Sequence, residues 1–181
     1  MGSGGSRERT ARDAGGIEAR DEFPLLLQSD KLSLSGPIIL DSGPLGLVTN
    51  PKGGADAVAC KAWLKARLES GARVIIPGIA DYETRRELIC AKKVHGLRRL
   101  DKFCLTLEFL PITQDALRRA AELWARVRAQ GRPTASDDAL DADVILAAQV
   151  LLLNDSTSVI ATLNMGHLSL FTTAEHWQDI T

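Results

Sequence analysis

The segment Pro37–Val48, PIILDSGPLGLV, places the tightest constraint on what this chain can fold into. Its apolar run Ile38-Ile39-Leu40 stops abruptly at Asp41, and the turn-prone Ser42, Gly43 and Pro44 follow at once. An apolar run bounded by turn residues reads as a strand buried on both faces, the strand type of a parallel sheet. Ligands of such sheets bind in the crevice beyond the carboxyl ends of the strands. Asp41 therefore presents a carboxylate at the edge where chemistry is usually done. A lone Asp-Ser-Gly is more often a turn or a helix cap. The functional reading depends on other strand ends and helix starts bringing carboxylates to the same edge.

Three more short apolar segments read as strands: Val74–Ile76, closed by Pro77; Leu107–Leu110, closed by Pro111; and Ser158–Thr162. The stretch after Asp41 reads as a loop running through Asn50-Pro51-Lys52-Gly53-Gly54. Helical patterns fill the gaps. Ala55–Ser70 is marked by Val58, Ala62, Trp63, Leu64 and Leu68, and Ile79–Val94 by Ile79, Tyr82, Leu88 and Ile89. Leu97–Leu105, Ala116–Gln130 and Leu140–Leu153 follow, with Thr113 as an N-cap and Gly131 and Pro133 as stops. The tail past Leu168 reads as short. Strands alternating with helices predict an α/β fold built on a parallel, doubly wound sheet. Residues 1–36, Gly/Ser-rich and then of mixed charge, read as a disordered tail, and 37–181 as one domain.

Composition narrows the function classes. The formal charge of −1 gives no global basic field, so a nucleic-acid surface must be a local patch. The three cysteines lack CxxC or Cys/His spacing, which argues against a disulfide framework or a zinc site and fits a reducing cytoplasm. The longest apolar run, Val144–Leu153, is broken by Gln149 and is far short of the ~20 residues of a membrane span. No GxxxxGK[ST] or GxGxxG follows any strand, which excludes a P-loop or dinucleotide site.

Three further places line up with Asp41. IPGIADYETRREL puts Glu83 in the first turns of the helix after the second strand; Glu87 shares its face and Asp81 points elsewhere. LDADVILAAQVL carries Asp143 above Ala147, while Asp141, about 200° around the helix, is the better N-cap. VIATLN ends in Thr162 and Asn164 at another strand's carboxyl end. Carboxylates brought close repel one another, and folding them together makes sense if a divalent cation neutralises them. All-oxygen ligands select Mg²⁺ or Mn²⁺.

The spacing of Asp41 in IILDSGPL, Glu83 in IPGIADYETRREL, Asp143 in DADVILAAQ and Asn164 in VIATLNMGHL resembles the PIN domain over Pro37–Trp177. That resemblance implies a parallel sheet of four or five strands flanked by helices, and a metal-dependent endoribonuclease of the type II toxin–antitoxin class. Asp41, Glu83 and Asp143 would hold Mg²⁺ or Mn²⁺, and Asn164 would assist. The fourth acidic position, often Asp in the family, is here Asn164, which offers an oxygen without a charge. RNA, a cognate antitoxin and a second copy of the chain are the partners it implies.

Other groups rank lower. Ser42 and Thr162 are candidates for positioning water or phosphate. His167, in NMGHLSLF, reads more readily as structural than as a general acid. Arg85, Arg86, Lys92, Lys93, Arg98, Arg99 and Lys102 form a basic run that suits an RNA backbone track. Aromatic residues are few and suggest no base-stacking platform. The main rival is a PIN-like module that binds RNA or protein without cutting. A phosphoryl-acceptor domain would want an acidic pair beside the first strand, and none stands around Asp41.

Overall fold

Ile38, Ile39 and Leu40 are all buried, as are Val74, Ile75 and Ile76, so both faces of the sheet centre are dry. The structure, a computed structural model, describes residues 36–51, 53–129 and 137–181 together with Met1. Apart from Met1 and Gly36, the tail expected over 1–36 lies outside the described residues, as do the helix stops Gly131 and Pro133. The strands are β1 (Ile38–Leu40), β2 (Val74–Pro77), β3 (Glu108–Leu110), β4 (Val159–Thr162) and β5 (Ala174–His176). All pair in parallel, in the order β3-β2-β1-β4-β5. The chain moves outward from β1 to β3 and then returns to the other side of β1. The crevice between β1 and β4 is therefore the topological switch point of the sheet.

The alternation of β-strand side chains sorts the core into two layers. Ile38, Leu40, Val74 and Ile76 face helices α1 (Ser42–Thr49), α2 (Ala55–Glu69), α3 (Gly78–Cys90) and α4 (Val94–Thr106), packing with Leu45, Leu64, Leu88, Leu100 and Phe103. Ile39, Ile75 and Ile160 face α6 (Asp137–Leu151) through Leu146 and Val150. Helix α5 (Gln114–Ala129) lies outside α6, with Ala120, Leu123 and Val127 against Val144, Ala147 and Ala148. No helix among the described residues is long and apolar enough to cross a membrane.

Several expectations need correction. The segment after Asp41 is a helix rather than a loop, because Pro44 sits in the first turn, where its missing N–H costs nothing. Val58, Tyr82 and Ile89 are exposed; the buried side chains of α2 and α3 are Ala57, Cys60, Leu64, Ile79, Ala80, Thr84 and Leu88. The long helix expected to reach Val94 ends at Cys90, where Lys92 takes a left-handed conformation (φ 52°). Helix α6 begins at Asp137, so Asp141 lies inside it and is no N-cap. The tail past Leu168 is a structural element: β5 extends the sheet, Trp177 packs edge-on against Trp63 (5.7 Å), and Trp63 Nε1 donates to Ile180 O (2.9 Å). Thr113 does cap its helix, accepting from Ala116 N (3.1 Å).

One buried polar side chain sets the spacing of the layers around the site. Pro77 precedes α3 and has no side chain with which to cap it. Gln149 of α6 takes over, its Oε1 accepting from Ile79 N (3.4 Å) while its Nε2 donates to Leu110 O (2.7 Å). Gln149→Leu keeps the volume but leaves a buried amide and carbonyl unpaired. It should lower the unfolding free energy by about 2 kcal/mol in urea titration, whereas an unchanged midpoint would show that water replaces both bonds.

Candidate functional site

Asp41 closes β1 and opens α1 in a single residue. Its backbone N donates to Ala161 O (3.0 Å) in the sheet, and its carbonyl accepts from Leu45 N (3.1 Å) in the helix. Its Oδ1 accepts from Ser42 N (2.6 Å). Pairing of Leu40 with Ala161 brings Asp41 beside Thr162, whose hydroxyl donates to Oδ2 at 2.7 Å. Gly43 lies close to the residue that follows β4: a Cβ there would stand 2.9 Å from Leu163 Cδ1, so the Leu163 side chain rests on the first turn of α1.

Glu83 comes from the second turn of α3 and is half-buried. The Ser42 hydroxyl hydrogen-bonds it and lies 3.4 Å from Asp41 Oδ1, so one proton serves two carboxylates. Thr84 donates to Ser42 O (3.4 Å), tying α3 to α1. The Arg86 guanidinium stands 3.5 Å from Glu83 and 3.7 Å from Glu87, and lies over the Tyr82 ring. Asp143, on α6 and half-buried, places Oδ2 3.0 Å from His167 Nδ1.

The electrostatics show that the three acids sense one another. Burial pushes the Asp41 carboxyl above its ordinary range, against the pull of Thr162 and Ser42. Burial also raises Glu83; Ser42 and Arg86 oppose the rise, and the charges of Asp41 and Asp143 add to it. Asp143 is raised by burial and by Asp41, with His167 pulling the other way. Three raised carboxyls in mutual repulsion make a donor set whose chemistry fits a hard divalent cation. Among the described residues, no three acidic, Cys or His side chains close into a ready-made metal nest. Each like charge here is held by hydrogen-bond donors, the Ser42 hydroxyl being shared by Asp41 and Glu83.

The remaining candidates scatter. Asn164 is exposed and its Oδ1 accepts from Gly166 N (3.1 Å), turning the amide back on its own loop, while its backbone N donates to Thr162 Oγ1 (3.0 Å). Arg85 is clamped between Asp81 (2.9 Å) and Asp101 (2.7 Å) and so presents a neutralised charge. Asp141 and Glu87 are exposed. His167, ranked low from sequence, is brought to Asp143. The signal for it was its place three residues past Asn164, on the loop that leaves the switch-point strand.

Solved structures share this fold. VapBC2 from Rickettsia felis, determined bound to a DNA fragment from its promoter, superposes with a TM-score of 0.60 at 16% identity, over 78% of this chain and 99% of that one. FitAcB from Neisseria gonorrhoeae gives 0.59 at 20%, over 79% and 99%. Mycobacterium tuberculosis VapC20, a sarcin–ricin-loop-cleaving toxin, gives 0.55 at 17%, over 74% and 93%. The fold is thus PIN-like, a five-stranded parallel sheet flanked by helices. No protein-family model matches the sequence. No curated protein matches it.

Asp41→Asn tests the electrostatics without any substrate. A carboxyl raised above its ordinary 3.8 binds protons more tightly folded than unfolded, so its penalty is fully present above the folded pKa and fades as pH falls through it. Asparagine caps a helix as well as aspartate. In EDTA at neutral pH the variant should melt a few degrees above the parent, the scale of ~1 kcal/mol, with the gap narrowing as pH drops through the carboxylate range. A variant that melts lower at neutral pH would show that Asp41's hydrogen bonds outweigh the cost of burying its charge.

Proposed function

We propose that this chain is a hydrolytic ribonuclease that cuts RNA phosphodiesters internally with the help of Mg²⁺ or Mn²⁺, and acts as the toxin of a toxin–antitoxin pair. The observation that supports it most is the convergence of Asp41, Glu83 and Asp143, from three separate elements, on the switch point of the sheet: burial raises all three, and the charge of Asp41 raises Glu83 and Asp143 further. Sharing a fold with a toxin that cleaves the sarcin–ricin loop adds to it.

Asp41, Glu83 and Asp143 would hold the cation. Once bound, it would supply Lewis acidity toward a phosphate oxygen and toward the attacking water. The chain's own groups set the stage. Thr162 and the Ser42 amide fix the Asp41 carboxylate, and the Ser42 hydroxyl sits between Asp41 and Glu83. Asn164 brings an oxygen and no charge; that oxygen would have to leave Gly166 N to assist a first cation, and a second cation would be held weakly. With Arg85 clamped by two aspartates, the RNA backbone falls to Arg86 and the exposed Lys92, Lys93 and Arg98. The same reading expects a cognate antitoxin protein, and a second copy of the chain, as partners.

The uncharged, exposed Asn164 favours one rival, a PIN-like module that grips RNA or protein without cutting. Incubating RNA with the protein in Mn²⁺ and in EDTA separates the two. The nuclease reading expects cleavage in Mn²⁺ only, and intact RNA in both conditions would leave the binding module.

Two further measurements bear on the residues. Millimolar Mg²⁺ or Mn²⁺ should raise Tm, since a cation that relieves repulsion binds the folded state alone, and an unmoved melting curve would count heavily against the site. Asp143→Asn should cut cleavage by about a hundredfold or more, whereas the exposed Asp141→Asn should stay within about threefold, surface changes away from a site being mild. Equal losses would place the reacting face of α6 elsewhere.

A further inference from the structure

We infer that His167 is a positioning residue of this site: its Nδ1–H holds Asp143 Oδ2 and so fixes the direction in which the Asp143 carboxylate faces. The inference rests on the nuclease reading and deepens it by assigning a residue that acts through an acid rather than on the substrate. The Nδ1 to Oδ2 distance is 3.0 Å, and among the described residues no other hydrogen-bond donor reaches Asp143. An ionised carboxylate can only accept, so the shared proton belongs to the imidazole.

The fold, rather than the loop's own preference, delivers the ring. Leu168, next in the chain, is buried against Ile160 and Val150. Ser169 N and Oγ both bond Met165 O (3.0 and 2.8 Å), closing the turn around His167. A few residues on, Ala174 pairs with Ile160 and returns the chain to the sheet. His167 is thus held on both sides, and it meets the one acid of the three that has no hydroxyl bonded to it among the described residues. Asp41 has Thr162 and Ser42, and Glu83 has Ser42. Without the imidazole, the Asp143 carboxylate would face the charge of Asp41 with no hydrogen bond from any described residue to hold it. Groups that orient metal-binding carboxylates from behind typically matter tenfold to a hundredfold in affinity.

Calorimetric titration of Mn²⁺ into the full chain tests this, using two variants that separate donor from bulk. His167→Leu keeps bulk and loses the donor; His167→Asn loses bulk and keeps an N–H close to the place of Nδ1. Mn²⁺ should bind His167→Leu about tenfold or more weaker than the parent, and His167→Asn within about threefold. A packing role would reverse that order. A parent that takes up no Mn²⁺ overturns the nuclease reading and this inference with it. A parent that binds while His167→Leu binds equally well, or His167→Asn no better than His167→Leu, overturns the inference alone. Should His167→Leu fail to fold, the parent's own imidazole decides: long-range ¹H–¹⁵N correlations in EDTA should show a proton on Nδ1, and a bare Nδ1 overturns the assignment.

Discussion

The hydrogen bond from Thr162 to Asp41 is the interaction on which the site depends. It exists because β1 and β4 are parallel neighbours in a register that sets Leu40 opposite Ala161, so that the next residue of each strand meets at the sheet edge. Slipping that register by one residue would turn Thr162 to the wrong face and leave Asp41 ionised, buried and without its best donor. The backbone register is itself fixed by two dry faces: Ile38 and Leu40 belong to one core layer and Ile39 to the other. Burial of three isoleucine and leucine side chains thus decides where a charge can be tolerated.

Around that bond the structure solves a problem of like charges. Asp41, Glu83 and Asp143 arrive from a strand end, a helix that follows a strand, and a helix on the opposite layer. Each is desolvated, and desolvation is the first cause of the upward shift in every case. In a medium less polar than water the repulsion among them is stronger than it would be on an open surface. The chain opposes this with small local donors: a backbone amide, two hydroxyls and an imidazole. Among the described residues, Arg86 is the cation that pulls Glu83 back, and it does so from a half-exposed position where its effect is screened.

Much of this was legible in the sequence because the central strands β1 and β2 are so short and so purely apolar. A run such as VIIP or IIL has one sensible environment, and the first polar residue after it has one sensible place. That logic located Asp41, Thr162 and the strand before Glu83 without any knowledge of packing. The helices were harder. In α2 and α3 hydrophobic side chains do not gather on one stripe: Val58, Tyr82 and Ile89 face solvent while alanine, threonine and cysteine are buried. Residue type then misleads, since an alanine fits against a close-packed neighbour where a tyrosine does not. Helix α1 was hidden for a related reason. Ser-Gly-Pro suggests a turn, yet Asp41 supplies the cap, Gly43 lets Leu163 approach and Pro44 falls within the first turn.

His167 shows what periodicity could not supply. Nothing in NMGHLSLF sets its orientation, because the loop's course depends on where it must go next. That destination is β5, a strand of three residues that reads from sequence as an undistinguished tail. Pairing of Ala174 with Ile160 and burial of Leu168 shorten the route from β4, and the shortened route carries the imidazole over α6 at the level of Asp143. The edge strand and the site are therefore one structural fact. The far side of the same tail reaches Trp63 on α2 through Trp177 and the Ile180 carbonyl. A segment with no chemistry of its own spans both layers of the fold and fixes, at its start, the one donor that Asp143 receives among the described residues.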